Sequence, residues 1–65
     1  MSKMCDIKYA KYEIRRVKRL LLKCHDMMEE MNALSSKEVG DFYGLISKCN
    51  QIIESLKQKE ISNAN

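Results

Sequence analysis

Leu34-Ser35-Ser36-Lys37-Glu38-Val39 carries two independent markers of a helix start. Ser35 followed three residues later by Glu38 is a capping box, in which each side chain satisfies a backbone N–H at the other position. Leu34 before the cap and Val39 at the fourth helical position form a hydrophobic staple. Together they set the first residue of a helix at Ser36.

On both sides of this point the apolar residues recur with alternating spacings of three and four. Before it stand Ile7, Ala10, Ile14, Val17, Leu21, Cys24, Met28 and Met31; after it stand Val39, Phe42, Ile46, Cys49, Ile53 and Leu56. A 3.5-residue repeat keeps one stripe of a helix against a neighbouring helix. The sequence therefore predicts an all-α chain: helix one over about 5–32, a turn over about 32–35, helix two over about 36–59 and a frayed tail at 60–65. Ser2 or Asp6 is the expected cap of the first helix. So short a polar turn makes the helices antiparallel neighbours, an αα-hairpin. Register follows, with Met28 level with Phe42, Cys24 with Ile46, Leu21 with Cys49, Val17 with Ile53 and Ile14 with Leu56.

At 65 residues the chain is one small domain, with no Pro and only Gly40 and Gly44 as glycines. Domains of this size need very regular helix packing or oligomerisation when no disulfide or metal helps. Leu20, Met27, Leu45 and Ile52 widen the apolar stripes beyond what one seam uses, the pattern of helices buried on two sides. These four are the expected association surface, and a homodimeric four-helix bundle is the simplest assembly that covers them.

Charge is divided along the chain. Residues 1–24 hold eight Lys or Arg against two Asp or Glu, a net +6, whereas residues 25–65 hold four against seven, a net −3. The turn end is thus acidic and the terminal end basic, so two hairpins pointing in opposite directions complement one another. Lys8, Lys11, Arg15, Arg16, Lys18, Arg19 and Lys23, interrupted by Tyr9 and Tyr12, make the first helix basic. Lys11, Arg15, Lys18 and Arg19 are the expected contacts for an acidic ligand, with RNA or DNA as the alternative partner.

Catalysis is not expected, since His25 is the only histidine and no glycine-rich phosphate loop is present. Cys5, Cys24 and Cys49 lack the spacing of a metal site, and Cys24 and His25, being adjacent, point about 100° apart on a helix. No cofactor, metal or small-molecule substrate is anticipated. There is no 18-residue apolar run and no secretory signal pattern, so the expected location is cytoplasmic, without a membrane partner. The function these features predict is a small protein–protein interaction module or regulator that binds itself or another helical protein. An alternative is a small adaptor or co-chaperone in a hetero-complex, as in secretion systems or among phage inhibitors.

Overall fold

A computed structural model describes the backbone of residues 3–64 and the side chains of residues 6–62. Two helices make up the described residues, α1 (Lys3–Glu30) and α2 (Ser36–Ala64), laid antiparallel in a rod of 49 × 17 × 11 Å. The fold is the expected helical hairpin. Asp6 lies inside the first turn of α1 and so does not cap it; Ser2 falls outside the described residues.

The turn is closed from both sides. Asn32 takes a left-handed backbone conformation, with φ of 56°. The Ala33 N–H then donates to the Met28 carbonyl at 2.8 Å and the Asn32 N–H to the Glu29 carbonyl at 3.0 Å. This pair of bonds is a Schellman cap, which satisfies two carbonyls that would otherwise be orphaned. It ends α1 at Glu30, ahead of the boundary expected near Asn32. On the far side the Ser35 N–H donates to Glu38 Oε1 at 3.0 Å, and the Glu38 N–H donates to Ser35 Oγ at 3.2 Å. The capping box is complete.

The seam of α2 is the expected one. Val39, Phe42, Ile46 and Leu56 are half-buried, and Cys49 and Ile53 are the buried core. The row runs one step further, to Glu60, and α2 stays helical past Lys59 as far as Ala64.

The seam of α1 is rotated from expectation. Ile7, Ile14, Leu21 and Met28 face α2, but their companions are Lys11, Lys18 and His25, while Ala10, Val17, Cys24 and Met31 are exposed. Contacts of two α1 residues hold this phase. Lys11 Nζ donates to Glu60 Oε1 at 2.7 Å, and the His25 ring meets Phe42 edge-on at 5.5 Å and Tyr43 at 5.9 Å. Long basic side chains lay their methylene stems along apolar surface while their charged ends reach a partner or water, so a lysine can occupy a seam this narrow. The same contacts bracket the expected register, in which Ile14 lies level with Leu56 and Leu21 with Cys49.

Gly40 and Gly44 are exposed on the outer side of α2, and a Cβ added to either meets nothing within 4 Å. Replacing Gly44 with Ala should stabilise the hairpin by about 1 kcal/mol, because alanine loses less backbone freedom in a helix interior. Ser35→Ala should destabilise it by about 1 kcal/mol through loss of the cap. Thermal unfolding followed by circular dichroism reads both. Opposite signs are expected, and an unchanged midpoint for Ser35→Ala would show that the box does not govern the turn.

Candidate functional site

Helical phase sorts the exposed residues of α1 into two separate surfaces. Let α1 run away from the viewer with α2 at its right. The row Ala10, Glu13, Val17, Leu20, Cys24, Met27 and Met31 then lies about a quarter-turn counterclockwise from the contact with α2, on the upper face. Because α2 runs towards the viewer, its rotation has the opposite sense. Leu45 and Ile52, each one residue before a seam position, therefore also lie on the upper face. All four residues expected at the association surface share this face and are exposed: Leu20 at 56%, Met27 at 53%, Leu45 at 50% and Ile52 at 47%. Val17, Cys24 and Met31 join them, which the sequence reading missed by assigning them to the intrachain seam. Their spacing fits either seam, so the pattern alone does not distinguish the two.

The upper face is self-matched in level. The stretch from Val17 to Met27 has its midpoint at Leu22, and the span from Leu45 to Ile52 has its midpoint between Lys48 and Cys49. Since Cys49 lies level with Leu21, both apolar patches centre at about one height along the rod. Of the seven residues in the α1 row, only Glu13 is charged, and it pairs with Arg16 at 3.7 Å.

The lower face is basic. Arg15 and Arg19 are exposed there and, with Tyr12, Lys18 and Leu22, line a shallow open groove of about 420 Å³. The four expected acidic-ligand contacts are therefore not equivalent. Lys11 is held by Glu60, with their side chains only 18% and 21% exposed, and Lys18 is half-buried beside the seam. Arg15 and Arg19 remain available. The hydrogen bond from Lys11 holds the Glu60 carboxyl below the usual carboxylate range against the opposing effect of desolvation, and Lys11, Lys8 and Arg15 add their positive charge.

Among the described residues, no group of three His, Cys, Asp or Glu side chains comes together to hold a metal ion; the Cys5 side chain lies outside them. Nor is any described helix long and apolar enough to cross a membrane. The chain matches no protein-family model, no curated protein and no solved structure.

The lowered Glu60 pKa carries a pH dependence. A carboxylate whose folded value is depressed stabilises the fold fully above its unfolded value and loses that effect as pH falls through the folded value. Glu38, lowered by its bonds with Ser35, acts in the same direction. The thermal midpoint should therefore fall between about pH 5 and pH 3, and Glu60→Gln should make that fall shallower. Equal slopes for wild type and Glu60→Gln would remove the Lys11–Glu60 pair as a contributor.

Proposed function

We propose that the protein is a non-enzymatic protein–protein interaction module that acts as a helical-hairpin dimer. The upper face of one hairpin closes on the same face of a second copy, giving an antiparallel four-helix bundle. The observation that carries this reading is the second apolar row of α1, which nothing in the single chain covers. Fully burying a Leu, Ile or Met side chain contributes about 1.5–3 kcal/mol, and these are about half exposed, so several kcal/mol of burial are left to a partner. In a domain this small that is comparable with the whole stability.

The orientation is argued from charge and level. With the two turns at opposite ends, each acidic turn lies beside the basic end of the other copy, and α1 lies on α1, α2 on α2. With the turns together, like charges meet at both ends. The common height of the two apolar patches suits a two-fold axis crossing the rod near Leu21 and Cys49, because both patches then meet their own copies at once. In that arrangement Leu20 lies against Cys24 of the second copy, and Val17 against its Met27.

Other features agree with this reading. The sole histidine is packed on Phe42 and Tyr43, where it serves the hairpin. Cys24 and Cys49 are free thiols, which suits a cytoplasmic module.

Sedimentation equilibrium should give twice the mass of the chain, and Leu20→Arg or Ile52→Arg should weaken association at least tenfold. Leu20→Cys under mild oxidation should yield a covalent dimer whose peptide map joins residue 20 to Cys24. A map joining residue 20 to Cys49 would overturn the opposed orientation. A folded monomer at high concentration would overturn the dimer itself, as would a stoichiometric complex with a different helical protein in its place.

A further inference from the structure

Lys8, Tyr12, Arg15, Arg19 and Leu22 repeat the spacing of four and three on a third stripe of α1, on the lower face, away from Leu20 and Met27. All five are exposed, and Lys18 borders the stripe on the side of α2. The stripe is about 21 Å long at 1.5 Å per residue. What distinguishes it is where the neighbouring acids are spent. Glu60 binds Lys11 at 2.7 Å, Glu54 lies 3.4 Å from Lys57, and Glu13 lies 3.7 Å from Arg16. Lys8, Arg15, Lys18 and Arg19 have no such partner among the described residues.

We infer that this stripe is a binding site for single-stranded nucleic acid. Arg15 and Arg19, one turn apart, present planar guanidinium forks that suit phosphate oxygens. Tyr12, 59% exposed between Lys8 and the two arginines, offers a ring face on which a base stacks. An acidic peptide would use the cations and leave the ring idle. The shallow groove admits a single strand along its length, with Leu22 closing the apolar end. The site does not require the dimer, since it lies on the opposite face from the association surface.

The test is fluorescence anisotropy of the full chain with a labelled single-stranded RNA of mixed sequence, titrated over a range of salt. With the three exposed cations Lys8, Arg15 and Arg19 engaged, log K against log salt should have a slope of about −2, as about 0.7 counterion is released per phosphate contact on a single strand. The double variant Arg15→Ala, Arg19→Ala should make that slope shallower by about 1.4. Tyr12→Ala should weaken binding about tenfold and leave the slope unchanged. Arg16→Ala, on another stripe, should shift affinity less than twofold. The circular dichroism of each variant should match the wild type, because none of the altered residues lies in the α1–α2 seam. Absence of binding at low salt would overturn the inference. So would an unchanged affinity for Tyr12→Ala, or equal displacement of the RNA by polyglutamate, since either outcome would leave only a generic anion surface.

Discussion

A pair of helices can hide one stripe of each, and α1 carries two. Ile7, Ile14, Leu21 and Met28 form a row with apolar or basic neighbours on either side. Turning one way pairs it with Lys11, Lys18 and His25; turning the other way pairs it with Ala10, Val17, Cys24 and Met31. The hairpin takes the first option. The charge of Lys11 finds Glu60, and His25 finds two rings across the seam. The greasier row is left outside. Every later property of the molecule follows from that rotation: the upper face is apolar because Val17 and Cys24 were not used, and the basic side chains of the lower face lie on the flank opposite them.

The hairpin itself was legible because its signals are local. A capping box and a staple depend on residues at most five apart, and Ser35, Glu38, Leu34 and Val39 are read directly from order. The seam of α2 was equally plain, since Phe42, Ile46, Cys49 and Ile53 stand alone on their stripe with no competing apolar row of the same length. The phase of α1 was not legible. Two seams share the residues at seven-residue intervals, and choosing between them needs Glu60, which stands some fifty residues from Lys11. Counting only apolar side chains also misjudged lysine, whose stem packs as a hydrophobe while its end remains charged. The end of α1 was set by Asn32, a residue type that tolerates the left-handed conformation a Schellman cap requires.

The same rotation redistributed the candidate contacts. Lys11, Arg15, Lys18 and Arg19 look interchangeable in order, yet the fold assigns Lys11 and Lys18 to the seam and leaves Arg15 and Arg19 beside Tyr12. A sum of charges over residues 1–24 hides this sorting. The net +6 of that segment contains a lysine already committed within the fold, an Arg16 held near Glu13, and a stripe whose cations make no ion pair among the described residues. Charge that is paired contributes to shape, and charge that is not paired is what a ligand meets. Within residues 6–24 only Lys11 and Arg16 are of the first kind.

α1 also bears its charges against its own dipole. Its basic residues crowd the first three-quarters, and although Asp6 suits the first turn, Glu29 and Glu30 close a last turn that has no base. Charges so placed cost a few tenths of a kcal/mol each where they are exposed near a helix end. Within one hairpin the acidic end of α1 meets a start of α2 that is acidic in sum, with Glu38 and Asp41 outweighing Lys37. The opposed second copy proposed above would offset that cost, by bringing the basic end of its own α1 to that turn. A mismatch within the single rod and an uncovered stripe on its upper face would then have one common remedy in the proposed two-fold arrangement.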